Sequence, residues 1–275
     1  MTAHTPDLLA AIVGAARRRV ATEQAALPLE QVRAAAMALP AAAGSRLRAA
    51  LEPSGCVNVI AECKRRSPSR GVLRPGYDPA EIARGYERAG ASAVSVLTEP
   101  GFFDGSLAHL VEVRNAVTLP ILRKDFTIDP YQIWQARSAG ADAVLLIVAA
   151  LDDERLLALL DECRHAGVDA LVEVHDEDEL GRALSAGADL VGVNNRDLRT
   201  LAVDLETSRR LAPLIPSTVV AVSESGLRTA DDLVALSQLG YRAFLVGERF
   251  MGEDDPGAAL RELLDGAARG VPPCA

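Results

Sequence analysis

The phrase RAGASAVSVL (88–97) recurs along this chain as SAGADAVLLIV (138–148), HAGVDALVEV (165–174), SAGADLVGV (185–193) and QLGYRAFLVG (238–247). Each copy reads as the end of a helix, a glycine able to take the left-handed stop, a short polar turn, and then an apolar strand. The strands are near-continuous runs of Val, Leu, Ile and Ala, as expected when both faces of a parallel sheet are covered. Three more runs, VNVIAEC (57–63), LPILRK (119–124) and STVVAVS (217–223), bring the strands to eight. Starts roughly 20–35 residues apart leave room for one helix in each gap. Eight βα units in one chain predict a fold of the α/β class, a closed (β/α)8 TIM barrel. An open doubly wound sheet is the competitor, but its GxGxxG phosphate turn is missing after the first strand.

Outside the repeat, residues 1–55 read as an N-terminal helical extension, with helical patterns over 6–25 and 28–38 and an alanine-rich connection. The barrel is expected over 56–266, followed by a frayed tail over 267–275. No linker divides the chain, so 1–275 is expected to be one domain. The net charge of −9 argues against a nucleic-acid binder, which needs a basic face. The four cysteines, Cys56, Cys63, Cys163 and Cys274, show no CxxC spacing and no secretory pattern precedes them. No apolar run approaches the ~18 residues of a membrane span. These features predict a cytoplasmic protein with reduced thiols, no membrane partner and no zinc cluster.

The chain carries only two lysines, Lys64 and Lys124, against twenty-seven arginines. Both end strand-like apolar runs. A lysine amine can be tuned by its surroundings to give up a proton near neutral pH, whereas arginine stays charged. In a barrel of this kind the C-terminal strand ends and the following loops form the site. Alternation along the first strand puts Ile60, Glu62 and Lys64 on one face and Cys63 on the other. The same parity gives Leu122 and Lys124 on the third strand, Leu171, Glu173 and His175 on the fifth, and Gly192, Asn194 and Arg196 on the sixth. The seventh leads into Ser223, Glu224, Ser225 and Gly226, and the eighth into Gly247. A single charge at a strand end is ordinarily a solvated boundary residue. Two amines, two carboxylates, an amide and a guanidinium on the inward faces of four strands point instead to one shared rim, because unpartnered buried charge is costly.

The SESG and VGE loops after strands 7 and 8 are each expected to open a helix, so that backbone N–H groups at Gly226, Gly247 and Glu248 cradle an anion. Ser67 and Lys64, beside RRSPSRG, would assist from the first strand. Of the histidines, His4, His109 and His165 fall in terminal or helical segments, and His175 alone stands near the rim. No metal site is expected.

At these residues the chain closely resembles the indole-3-glycerol-phosphate synthase family of tryptophan biosynthesis. The resemblance is carried by IAECKRRSPSRG (60–71), SVLTEPGFFDGS (95–106), ILRKDFTIDPYQI (121–133), GADAVLLIVAAL (140–151), LVEVHDEDEL (171–180), VGVNNRDL (191–198), VSESGL (222–227) and AFLVGERFM (243–251), in the family order. Cys63, the Glu248-Arg249 pair and the absence of an aromatic residue before the first strand depart from the family pattern, and none touches a reacting group. The resemblance implies a decarboxylative ring closure of a carboxyphenylamino-deoxyribulose 5-phosphate with no metal or organic cofactor. It implies Lys124 as general acid, Glu173 as general base, and Lys64, held by Glu62, at the substrate carboxylate or as a second acid. Asn194 would orient Glu173 or a substrate hydroxyl, Arg196 would secure an anionic group, and Ser225 would contact substrate. Phe103, Phe126, Leu145 and Leu198 would wall the aromatic ring. Two other readings stay open: a phosphoribosylanthranilate isomerase-like barrel, which favours a Cys–Asp pair, and a non-catalytic phosphate-sugar binding barrel.

Overall fold

The computed structural model describes residues 8–39, 45–53 and 57–270; Cys56, Cys274, His4 and the ends of the extension and tail lie outside it. Eight parallel strands close into a barrel: β1 Asn58–Cys63, β2 Ala93–Leu97, β3 Ile121–Lys124, β4 Ala143–Ile147, β5 Asp169–Val174, β6 Leu190–Asn194, β7 Val220–Glu224 and β8 Ala243–Val246. Closure is made where Ile60 of β1 stands in register with both Ala93 of β2 and Leu245 of β8. The competing open sheet is thereby ruled out.

The recurring phrase has a physical cause. Its glycines, Gly90, Gly140, Gly167, Gly187 and Gly240, all have φ between 68° and 103°, where a side chain would be strained. Each turns the chain out of a helix and into the next strand. The polar residue that follows then anchors the strand start, as when the Asp142 backbone N–H donates to Ile121 O at 2.9 Å. Helix starts are set by acidic and hydroxyl caps: Asp78, Ser106, Asp129, Asp152, Asp176, Thr229 and Asp255 each accept a backbone N–H of the first turn.

The extension folds as α1 Leu8–Ala26, α2 Leu29–Met37 and α3 Arg46–Leu51. The first two lie close to the expected helical patterns; α3 was not expected. It covers the bottom of the barrel, where its Leu47 and Arg48 N–H groups donate to Asp169 Oδ2 at 2.9 and 3.1 Å. Without that carboxylate they would be orphaned at a helix start. Helix α1 lies instead at the catalytic end. It buries Ile12, Val13, Ala16 and Val20, and Arg19 reaches Asp125 at 2.7 Å just past β3.

Strand parity follows expectation. Cys63 faces outward and is buried against the helix Pro79–Ala89, where burial pushes its thiol far above the usual range. Arg123 likewise faces outward, into a buried network with Thr98 and Asp125. Its neighbour Lys124 points into the barrel mouth. Gly192 of β6 makes room for this arrangement. A Cβ there would lie 2.1 Å from Glu224 Oε1 and 3.3 Å from Leu171 Cδ1. Gly192→Ala should therefore displace Glu224 and destabilise the fold by about 1–3 kcal/mol, the usual cost of overpacking. A denaturant midpoint lowered at unchanged slope is the expected result; an unchanged midpoint would mean that Glu224 yields without strain.

Candidate active site

The rim is organised by two lysine–glutamate sets. Lys64 Nζ lies 2.6 Å from Glu62 Oε1, both from the end of β1. Lys124 Nζ lies 2.9 Å from Glu173 Oε2 of β5 and 3.1 Å from Glu224 Oε2 of β7. All three carboxylates are buried. The expected residues Lys64, Glu62, Lys124 and Glu173 are thus brought together. Glu224 joins them, although the sequence reading placed it only on the way to an anion loop. Its signal was available in the alternation of the seventh strand, which puts Val220, Val222 and Glu224 on one face.

Charge on this rim is mutually dependent. Burial opposes the charged amine of Lys124, but Glu173, Glu224 and Glu62 outweigh it and hold the lysine above its ordinary range. For Glu173, burial favours the neutral acid, yet Lys124 and His175 keep the carboxyl well below the usual range. Glu224 shares the same lysine but has less help. Burial and the nearby Glu173 charge lift its pKa to about 7, and its Oε1 is buried without a hydrogen-bond partner among the described residues.

Two cavities open off these groups. One, of about 440 Å³, is lined by Glu62, Lys64, Arg70, Arg196, Ser225, Gly226, Gly247 and Glu248 among others. Here Ser225 and Gly226 both take left-handed φ, 66° and 79°, which turns the chain sharply after β7. The expected helix start at Gly226 is not found. The helix Ala230–Ser237 begins four residues later, where Thr229 and Asp232 form a capping box. After β8 the helix Glu248–Met251 does start at the expected place, as a single short turn. At Gly247 a Cβ would lie 2.5 Å from Glu62 Oε1, so this glycine lets the cradle approach the β1 carboxylate. The Glu248 carboxylate stands between two guanidinium groups, 3.0 Å from Arg70 Nε and 3.1 Å from Arg196 Nη2. Arg196 is therefore tied to an anionic group of the chain itself.

The second cavity is smaller, about 70 Å³, and mostly apolar. Phe103, Phe126 and Leu198 line it, together with Leu8, Leu9 and Ile12 of α1. The phenyl rings of Phe103 and Phe126 are 6.3 Å apart. Ser67 belongs to this cavity rather than to the first. It lies in a hairpin of Arg66–Ser67 and Gly71–Val72, where its Oγ accepts the Arg70 N–H at 3.2 Å. Leu145 lines neither cavity. It is buried one layer lower, in register with Leu171, because parity fixes a residue's face but not its depth. Asn194 Oδ1 accepts the Arg196 N–H at 3.0 Å, and this bond goes to the loop after β6 instead of to Glu173. Among the described residues no group of three or more His, Cys, Asp or Glu is placed to hold a metal ion, and no helix is long and apolar enough to cross a membrane.

A family model described as Indole-3-glycerol phosphate synthase matches residues 9–263. The indole-3-glycerol phosphate synthase of Mycobacteroides abscessus is 49% identical over 257 residues, covering 94% of this chain and 93% of that protein. The one from Parafrankia sp. is 58% identical over 208 residues, covering 76% of this chain and 78% of that protein. Among solved structures, 3-hexulose-6-phosphate synthase from Salmonella typhimurium superposes with a TM-score of 0.63 at 12% identity, covering 78% of this chain and 99% of that one, a likeness of fold.

Glu248→Ala should leave Arg70 and Arg196 facing the larger cavity without their internal counter-charge. Inorganic phosphate should then bind about two- to fivefold more tightly, the scale of a partly exposed ion pair. Calorimetric titration would read it, and loss of phosphate binding would show that Glu248 orders the arginines for the anion.

Proposed function

The chain belongs to the indole-3-glycerol phosphate synthase family, and on that premise we propose that Lys124 is the general acid and Glu173 the general base of its reaction. The activity is that of a carboxy-lyase in tryptophan biosynthesis, acting on a phosphorylated small molecule. An aromatic ring carbon of the carboxyphenylamino-deoxyribulose 5-phosphate attacks the ribulose carbonyl, carbon dioxide departs, and loss of water completes the indole. The isomerase and binding-scaffold readings fall away with the family match.

The observation that carries the assignment is the bridging of Lys124 between two buried glutamates at the barrel mouth. Proton accounting explains its use. The carbonyl oxygen leaves as water and needs two protons, while one proton returns to a base. Since the carboxylate leaves as carbon dioxide, one net proton is taken from solvent per turnover. Lys124 held cationic is loaded as the first donor. When it donates, one of the two cations that keep Glu173 ionised is lost, and burial then raises the carboxylate's hunger for a proton. Acid and base are thereby coupled: Glu173 becomes a good base only after Lys124 has acted. Afterwards the proton can return from Glu173 to Lys124 across their own contact, which resets both.

Lys64, paired with Glu62 alone where Lys124 is shared by two carboxylates, suits the second donor and the substrate carboxylate. Arg70, Arg196 and the backbone of Ser225, Gly226, Gly247 and Glu248 suit the phosphate. Phe103, Phe126 and Leu198, closed over by Leu8, Leu9 and Ile12, suit the aromatic ring, with Leu145 beneath as part of the floor. Residues 1–55, 56–266 and 267–275 are taken as one working unit, a reading supported by the Arg19–Asp125 tie between α1 and the rim. The net charge of −9 disfavours a nucleic-acid partner, so the partner proposed is the small substrate, and the place proposed is the cytoplasm, away from any membrane.

Steady-state turnover of the carboxyphenylamino substrate tests the pair. Lys124→Arg should be nearly as damaging as Lys124→Ala, because arginine keeps the charge but does not release a proton. Glu173→Gln should lower kcat roughly 10²–10⁴-fold with little change in KM. Near-normal turnover by the arginine variant would reduce Lys124 to an electrostatic role. A glutamine variant altered only in KM would make Glu173 a substrate anchor.

A further inference from the structure

The stretch LVEVHDEDEL contains more than the base. Glu173 Oε2 is engaged by Lys124, and its other oxygen, Oε1, lies 3.4 Å from His175 Nε2. That nitrogen is buried and makes no well-aligned hydrogen bond among the described residues, so its approach to Glu173 is that of an ion pair. On the far side of the ring, Nδ1 lies 3.0 Å from Glu179 Oε2, and the same oxygen accepts the His175 backbone N–H at 2.8 Å. Glu179 is itself fixed in the first turn of the helix Glu177–Ser185, where its N–H donates to the capping Asp176 at 2.9 Å. The result is a row: carboxylate, imidazole, carboxylate. Burial disfavours the charged ring, but Glu173 and Glu179 outweigh it and push His175 up to about 10, so the ring is cationic at neutral pH.

We infer that His175, aimed by Glu179, is a positioning residue for Glu173, holding the base in place through Oε1 while Oε2 exchanges protons with Lys124 and the substrate. The inference rests on the assignment of Glu173 as the base. Its physical content is a division of labour between the two cations. Lys124 must lose its charge to act, and at that moment a buried carboxylate held by nothing else would be free to swing or to be protonated from the wrong side. His175 does not donate in the reaction and remains as a fixed counter-charge. The logic is that of an orienting group behind a general base, with the charges reversed: here the imidazolium orients and the carboxylate acts. His175 and Glu179 also line a neighbouring cavity of about 760 Å³, which meets the apolar cavity at Leu9 and Leu198, so a small molecule there can approach the ring.

The test uses the full chain with three single variants, one double variant and one additive. His175→Ala should lower kcat roughly ten- to a hundredfold, the coupling range for members of one ion-pair network, with KM changed less than about twofold. Added imidazole, entering through the neighbouring cavity, should restore part of kcat. A side chain needed only for folding would not be rescued in this way. Glu179→Gln, which keeps the shape of the support and removes its charge, should show the same split in weaker form, and it decides the matter if His175→Ala fails to fold. In the Glu173→Gln background, His175→Ala should cost little more. If Glu173→Gln is inactive while His175→Ala and Glu179→Gln turn over normally, the role given to His175 is wrong and the base assignment stands. If Glu173→Gln itself turns over normally, the base assignment fails and this inference fails with it. A loss from His175→Ala that is equally large in the Glu173→Gln background, or that appears in KM alone, would also overturn it.

Discussion

The mouth of this barrel depends on one ammonium group shared between two buried carboxylates. Lys124 reaches Glu173 and Glu224 at 2.9 and 3.1 Å in a place where isolated charges are expensive. Take the lysine away and Glu224 loses the cation it shares, while Glu173 is left with His175 alone. Much of the surrounding sequence serves this group. Gly192 is bare so that Glu224 can cross the barrel, Gly247 is bare so that Glu62 can stand beside the loop after β8, and His175 supplies a second cation on the free side of Glu173. A cluster assembled from β1, β3, β5, β7 and β8 must be held by the closed sheet itself, since no one loop could bring its members together.

Much of this was legible in the residues. The helix–glycine–strand phrase revealed the barrel because the left-handed stop can be met cheaply only by glycine, and all five copies use it. Alternation correctly sent Lys64, Glu62, Lys124 and Glu173 inward and Cys63 outward, because a strand buried on both faces allows no slip. What failed was whatever alternation does not encode. Leu145 was given the right face and the wrong depth. Glu224 was passed over because the SESG string was read as an anion loop rather than as the end of an inward-facing strand. The helix start was set at Gly226, although the Thr229–Asp232 capping box three residues on was the stronger signal. Nor does alternation encode the local hairpin in which Ser67 lies, its hydroxyl accepting the Arg70 backbone N–H.

The extension was the least readable part. Its helical patterns were visible, but where they dock is decided by distant partners: Asp125 for Arg19 of α1, and Asp169 for the start of α3. Hence Leu8, Leu9 and Ile12, which close the apolar cavity, could not be named from periodicity alone. Composition, by contrast, was unusually informative. In a chain whose other basic side chains are all arginine, the two lysines mark the two amines of the site.

That scarcity also makes the decisive measurement possible. A sample labelled with ¹⁵N at lysine Nζ carries only two side-chain signals, Lys64 and Lys124, assigned by substituting either residue. Following them by NMR from neutral to alkaline pH reads the charge of Lys124 directly. The account predicts that Lys124 stays protonated beyond the ordinary lysine value of about 10.4, and that Glu173→Gln and Glu224→Gln each bring its titration down. A Lys124 that titrates at or below that value in the unaltered protein, or whose titration ignores both substitutions, would contradict the claim that these two carboxylates hold it charged.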